Sequence, residues 1–189
     1  MGKELVVIVI AYLLGSFCTG YYLVLAKTGQ DIRETGSGGV GARNVGRLLG
    51  PAGFLTTLLG DGLKGSAAVL IGQMFSGNDT VLALILLAVV AGHIWPLRLQ
   101  FRGGRGVATA IGAYLTINPF LALALLIITA TLMIFRQGFV LSGLAAFVLL
   151  PFVALFLHFS GYAVTVMETS SIIILFAHRE RLRRVFAKF

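Results

Sequence analysis

Six stretches of this chain are apolar for long enough to cross a lipid bilayer, and that limits its folds before anything else does. A crossing helix needs about 20 mainly apolar residues. The candidates are residues 5–26, 51–74, 79–96, 119–135, 138–157 and 161–178. With 58% apolar and 12% charged residues, a chain of 189 residues cannot bury its apolar surface in water, so lipid must cover the rest. The length fits one integral membrane domain over residues 1–189. The first stretch is too long for a signal-peptide core and reads as a retained span. Cys18 is the single cysteine, which excludes an intramolecular disulfide.

A seventh apolar segment, at 105–117, reaches only about 20 Å as a helix. Basic residues decide whether it counts as a span. Lys27, Arg33, Arg43 and Arg47 follow the first span, and Arg98, Arg102 and Arg105 follow the third. Arg136 follows 119–135, and Arg179, Arg181, Arg183, Arg184 and Lys188 lie in the tail. Together these are thirteen of the 15 Lys and Arg residues, while the connectors 75–78, 118 and 158–160 carry none. Counting 105–117 as a crossing puts all thirteen on one face, the cytoplasmic one by the positive-inside rule. The expected fold is therefore all-α and polytopic, with seven transmembrane helices, one of them short. The N-terminus is expected outside and the C-terminus in the cytoplasm.

Four polar segments interrupt this pattern. The first runs from Gly36 through Ser37, Gly38, Gly39, Val40, Gly41, Ala42, Arg43, Asn44, Val45 and Gly46 to Arg47. Glycines let successive N–H groups converge on a phosphate oxygen. Ser37 and Asn44 add side-chain hydrogen-bonding groups, and Arg43 and Arg47 add forked cationic donors. The plain alternative is a flexible loop with ordinary cytoplasmic arginines. The second segment is Asp61-Gly62-Leu63-Lys64-Gly65, inside an apolar span. Its two charges share a helix face. A charge at membrane depth costs at least about 2.5–3.5 kcal/mol, so the pair is either functional or a structural lock between helices. Gly62 and Gly65 would admit a neighbouring helix.

The third segment joins Gly92-His93-Ile94-Trp95-Pro96 to Phe101-Arg102-Gly103-Gly104-Arg105-Gly106-Val107-Ala108-Thr109. Gly103, Gly104, Arg105 and Gly106 are expected at the start of the short helix, where free N–H groups and the dipole favour an anion. His93 alone reads more readily as an interfacial polar residue than as a catalyst. The fourth segment is the tail from His178 to Arg184, mostly a basic stretch attracted to anionic lipid, with His178 at the span's end. Glu168, near mid-span, requires a partner or a proton.

Several familiar centres are missing from the sequence. It has no Cys/His/Asp/Glu cluster with metal-ligand spacing and no P-loop. Arg98 and Arg183 stand five residues after His93 and His178, so no His-x4-Asp acyltransferase motif exists. Asp61-Gly62 lacks the further aspartates of a CDP-alcohol phosphotransferase. What remains is an electropositive anion site against the membrane, with no evident base or nucleophile.

Over its whole length the chain resembles the bacterial acyl-phosphate:glycerol-3-phosphate acyltransferases, PlsY-type. The resemblance rests on Gly-Ser-Gly-x-x-Gly-Ala-x-Asn-x-x-Arg, Asp-x-x-Lys-Gly, Gly-His-x-x-Pro followed by Phe-x-Gly-Gly-x-Gly-Val-Ala-Thr, and the terminal His-Arg-Glu. It implies acyl transfer from acyl phosphate to the 1-hydroxyl of glycerol 3-phosphate, giving lysophosphatidic acid and phosphate, without metal or coenzyme A. By resemblance, Ser37, Asn44, Gly103 and Gly104 hold the acyl phosphate. Arg47, Arg105 and His178 hold glycerol 3-phosphate, and Asp61 and Lys64 shape the site. Ser37, Asn44, Arg105 and His178 are the expected catalytic set. Gly36, Gly38, Gly41, Arg43, His93, Gly106, Ser142 and Arg181 join the substrate-binding residues. The sequence departs from the family pattern at Gly39 (Asn in the family), Arg43 (Thr), Arg105 (Lys) and Arg181 (Asn). The serine near Ser142-Gly143 is shifted by one residue.

The implied partners are acyl phosphate, glycerol 3-phosphate and membrane lipid, with no nucleic acid, and the chain is expected to act as a monomer in the bacterial inner membrane. Two other readings stand beside this one. Asp61, Lys64 and Glu168 would suit a transporter of an anionic or phosphorylated solute, and the motif departures would suit an inactive lipid-binding paralogue.

Overall fold

The computed structural model describes residues 2–76, 78–135 and 138–187. Arg136 and Lys188, both counted above among the sorted basic residues, lie outside them. The described residues form helices and short 3-10 turns, with no strand among them. The chain packs as two compact units, Met1–Ala113 and Tyr114–Phe189.

The first unit holds α1 (Gly2–Ser16), α2 (Thr19–Thr28), α3 (Ala42–Phe75), α4 (Asp79–Ile94) and the start of α5 (Val107–Ile117). The first expected span is thus broken. Its 27 residues, Gly2–Thr28, are long and apolar enough to cross, but the helix stops at Ser16 and restarts at Thr19. The second expected span starts at 51 because α3 is kinked at Gly50 (φ 70, ψ −167), directly before Pro51. Proline is well placed at the first position of a helix, where its missing N–H has no intrahelical partner to lose. The turns before the kink are therefore a separate helical piece that carries Arg43 and Arg47.

Helices in this unit approach to backbone contact where glycine removes the side chain. A Cβ on Gly15 would run into the Val89 carbonyl, and one on Gly92 into the Tyr12 carbonyl, so α1 and α4 touch at both points. In the same way Gly65 meets the Thr109 carbonyl and Gly112 meets the Gly62 carbonyl, which closes α3 on α5 as the Asp-x-x-Lys-Gly segment anticipated. The Ser66 hydroxyl donates to the Gly112 carbonyl at 2.7 Å across this contact.

The second unit holds α6 (Pro119–Ile134), α7 (Phe139–Phe156), α8 (Gly161–Ala177) and α9 (Arg179–Phe186). Here Tyr114, at the end of α5, is fully buried against Phe147 and makes a very short hydrogen bond with Ser170. The Ser171 hydroxyl donates to the Phe147 carbonyl at 2.6 Å, tying α8 to α7. Glu168 lies on the exposed side of α8. The axis turns by 68° between α8 and α9.

Each expected span is built from helix, the first in two pieces, and the short segment begins at Val107 rather than at 105. By length and composition four helical stretches are fit to cross, or five with the bent α8–α9 pair, while α5 and α6 are shorter apolar helices. The crossing count of seven thus exceeds what helix length alone supports.

The tight contact at Gly65 gives a direct test. Gly65→Ala should lower stability by about 1–3 kcal/mol, the range for overpacking a close contact. Gly143→Ala, where an added Cβ meets nothing within 4 Å, should leave the melting temperature in detergent unchanged or slightly raised.

Candidate active site

The break in the first span leaves polar backbone groups unsatisfied at membrane depth, where water cannot serve them. Lys64 and Asp61 on α3 supply the partners. Lys64 Nζ donates to the carbonyls of Gly15 at 2.9 Å and Phe17 at 2.7 Å, the end of α1. Asp61 Oδ1 accepts the N–H of Thr19 at 3.3 Å, the start of α2. The cation therefore meets the negative end of one helix and the carboxylate the positive end of the next. The two side chains also pair with each other at 3.0 Å. Both are buried, Asp61 to 1% and Lys64 to 8% exposure.

His93 completes this knot. Its Nδ1 lies 2.7 Å from Lys64 Nζ and 3.7 Å from Asp61 Oδ1. An ammonium has no acceptor, so Nδ1 receives the hydrogen bond and a neutral imidazole carries its proton on Nε2. That nitrogen faces Gly104, where any Cβ would overlap it. At 3% exposure His93 is a buried member of the ion-pair network, which corrects its reading as an interfacial residue.

The loop after His93 returns on it through its backbone. Gly104 N–H donates to the His93 carbonyl at 2.9 Å, and Gly103 N–H to the Ile94 carbonyl at 3.1 Å. These two N–H groups are thus engaged, contrary to the expectation that they are free for an anion. The open donors shift to the first turn of α5 at Val107, Ala108 and Thr109, whose N–H groups have no intrahelical acceptor. Gly106, at φ 79, sets the turn into this helix. Arg105, half-buried, stands between the two glycines that flank it.

The Gly-rich segment is built around Asn44. Asn44 Oδ1 accepts the N–H of Ser37 at 3.0 Å, and Nδ2 donates to the carbonyls of Ile32, Thr35 and Gly39 at 3.3, 2.9 and 3.0 Å. The amide is 4% exposed and fully occupied by its own loop. Asn44 therefore shapes the loop, which corrects the expectation that its side chain reaches a phosphate. Gly36, at φ 59, sits against Asn44 Oδ1 too closely for any side chain. Gly39 and Gly41 have room for a Cβ, so the Gly39 departure creates no steric conflict. Ser37, Arg43 and Arg47 are exposed, Ser37 near the loop tip and both arginines on the first turns of α3.

Sequence reading missed the anchor of this loop. Arg33 forms an ion pair with Asp31 at 2.6 Å, stacks its guanidinium 5.2 Å from the Tyr21 ring centroid, and donates to the Leu99 carbonyl at 2.9 Å. Arg33 thereby joins the Gly-rich loop to the segment that leads into Gly103. A core of Cys18, Val24, Ile32, Val40, Val45 and Leu99 lies beneath the same junction. The hydrogen bond from Arg33 holds the Asp31 carboxyl below its ordinary range. The tie is therefore intact at neutral pH and is lost only as pH falls through that lowered value. The short Asp31-Ile32-Arg33 spacing was the available signal.

Three of the expected residues belong to the second unit. Ser142 is buried on α7. His178 is buried at the bend between α8 and α9, its Nδ1–H donating to the Ile174 carbonyl at 2.8 Å, which leaves Nε2 as the other polar edge. Arg181 is exposed on α9. Among the described residues no group of three or more His, Cys, Asp or Glu could hold a metal ion.

The family model for glycerol-3-phosphate acyltransferase matches residues 5–188. A glycerol-3-phosphate acyltransferase 1 of Desulfitobacterium hafniense is 44% identical over 98% of this chain and 92% of its own length. A glycerol-3-phosphate acyltransferase of Clostridioides difficile is 38% identical, covering 96% and 91%. Among solved structures, PlsY (YgiH) in its glycerol 3-phosphate form superposes with a TM-score of 0.90 at 31% identity, over 99% of this chain and 94% of that one. Its lysophosphatidic acid form gives 0.88 at 29%, over 99% and 93%. The fold is that of an integral membrane acyltransferase, and the chain belongs to the glycerol-3-phosphate acyltransferase family.

The role of Asn44 separates from substrate binding by experiment. Asn44→Asp keeps the acceptor for Ser37 but turns an anionic oxygen toward three carbonyls. It should lower the substrate-free melting temperature at least as much as Asn44→Ala, with a cost of about 1–3 kcal/mol for the broken bonds. A side chain that served only substrate would leave that melting temperature unchanged.

Proposed function

We propose that this chain transfers a fatty acyl group from acyl phosphate to the 1-hydroxyl of glycerol 3-phosphate, releasing lysophosphatidic acid and phosphate. The observation that carries this reading is family membership across residues 5–188, together with its likeness to PlsY structures in the glycerol 3-phosphate and lysophosphatidic acid forms. The chain would act as one monomeric membrane domain over residues 1–189 in the bacterial inner membrane, with the N-terminus outside and the site on the cytoplasmic side. That placement is supported by the basic residues, which gather in the segments carrying the site.

The chemistry needs little from a protein base. Acyl phosphate is a mixed anhydride, already activated toward attack at its acyl carbon. The 1-hydroxyl oxygen bonds to that carbon, the acyl C–O bond to phosphate breaks, and the departing phosphate takes the hydroxyl proton. What the enzyme contributes is positioning of two anions and stabilisation of the charge that develops between them. In this reading Ser37, with Gly36, Gly38 and Gly41, cradles the acyl phosphate, together with the first turn of α5 beyond Gly103, Gly104 and Gly106. By the family resemblance, Arg43, Arg47, Arg105, His178 and Arg181 would neutralise phosphate charge, and Ser142 would complete the substrate-binding set. Asp61, Lys64 and His93 act behind it. The departures Arg43 and Arg181 put a cation where the family has a neutral group and Arg105 keeps one, so all three favour anions.

The transporter reading loses its main support, because Asp61 and Lys64 are engaged in closing a helix break. Purified protein in lipid should convert acyl phosphate and glycerol 3-phosphate to lysophosphatidic acid with stoichiometric phosphate. Uptake of glycerol 3-phosphate into proteoliposomes without that product would overturn the assignment. Arg47→Ala should raise the KM for glycerol 3-phosphate by about ten- to a hundredfold, the range for a lost charged hydrogen bond. An unchanged KM would remove Arg47 from the site.

A further inference from the structure

Helix α9, with sequence RERLRRVF, carries four arginines and one glutamate in eight residues. Acyl transfer as proposed above gives work only to Arg181. The other charges are arranged as a surface. Arg179, Glu180, Arg181, Arg183 and Arg184 are all exposed, while Leu182 and Val185, three positions apart, are half-buried on the remaining side. Eight residues make a marginal helix in water. Glu180 in the first turn and Arg183 and Arg184 in the last complement its dipole.

The setting of the helix selects what that surface meets. α8 is an apolar helix that passes as a span only together with α9, and the chain turns 68° at the junction. A helix that leaves a span at that angle runs along the headgroup layer instead of projecting into water. At the turn, Arg179 lies over the Phe176 ring, 4.5 Å from its centroid, and donates to the Phe176 carbonyl at 3.3 Å. The aromatic ring thus sits at the apolar end of the span with a cation folded over its outer face, the arrangement expected at a lipid–water boundary.

We infer that α9 is a surface helix that docks on the headgroups of anionic phospholipids, with Arg183 and Arg184 as its main contacts. Charge complementarity specifies this partner, since each basic side chain near an anionic leaflet strengthens association by about fivefold. A free phosphate or an acidic protein would offer similar chemistry. The headgroup layer, however, is the phase in which a helix bent off a span already lies. The inference is independent of the acyltransfer reading, because it concerns residues outside the proposed substrate set.

The test uses the full chain with Ala187→Cys, labelled with an environment-sensitive fluorophore. Cys18, the single native cysteine, is buried and does not compete for the label. In nanodiscs of phosphatidylcholine, addition of phosphatidylglycerol should shift the emission to the blue. Molar salt, where screening acts within about 3 Å, should reverse that shift. Arg183→Gln with Arg184→Gln should weaken the phosphatidylglycerol-dependent association by roughly thirtyfold, and Arg183→Lys with Arg184→Lys should retain it. Emission that ignores phosphatidylglycerol, or an equal shift in the glutamine variant, would overturn the proposal. Reversal of the shift by glycerol 3-phosphate would reassign the surface to a soluble phosphate.

Discussion

Everything in the first unit hangs on the pair formed by Asp61 and Lys64. A helix interrupted inside a membrane has carbonyls on one side of the break and N–H groups on the other, and lipid offers neither a partner. Lys64 takes the Gly15 and Phe17 carbonyls, Asp61 takes the Thr19 N–H, and each neutralises the other. One ion pair thereby performs what two separate caps would do in water, and it draws α1, α2 and α3 to a common point. His93 brings α4 to that point, and its carbonyl receives Gly104. The desolvation cost of the two charges is offset because Lys64 Nζ has two carbonyls, His93 and Asp61 as partners, and Asp61 Oδ1 has the Thr19 N–H and Lys64.

The same logic of internal satisfaction builds the Gly-rich loop. Asn44 replaces a missing ladder of backbone bonds with four side-chain bonds of its own. Arg33 then fastens the loop to the turn around Leu99. The exposed groups, Ser37, Arg43 and Arg47, stand on the outside of this frame. This division explains how Gly39 can stand in the place of an asparagine without disturbing the loop: the position has space for a Cβ, and the one bond it gives the frame comes from its carbonyl, which any residue supplies.

The sequence disclosed the architecture well because lipid imposes long apolar runs, and Gly62 and Gly65 announced a close helix contact. The Asp61–Lys64 pair was legible through its spacing on one helix face. Its targets were not, since Gly15, Phe17 and Thr19 take part through backbone atoms that any residue possesses. His93 misled for a related reason: the acceptor it offers Lys64 depends on a fold that brings α4 beside α3. Gly103 and Gly104 looked like open donors because sequence shows that a loop precedes a helix, but not that the loop folds back onto the carbonyls of His93 and Ile94. Asn44 read as a ligand where it is a scaffold, since an amide suits either task and only its four partners tell them apart. The break at Phe17 and Cys18 carried no glycine or proline to mark it.

The central claim is that Asp61 and Lys64 act as one unit that closes the break in the first span. A double-mutant cycle in stability measures this directly, with Asp61→Asn, Lys64→Met and the combined variant unfolded under the same detergent conditions. Lys64→Met alone should cost about 3–5 kcal/mol, because it strands a buried carboxylate. The combined variant should cost clearly less than the sum of the two single changes. Additive costs, agreeing within about 0.5 kcal/mol, would mean the two charges act independently and would contradict the account.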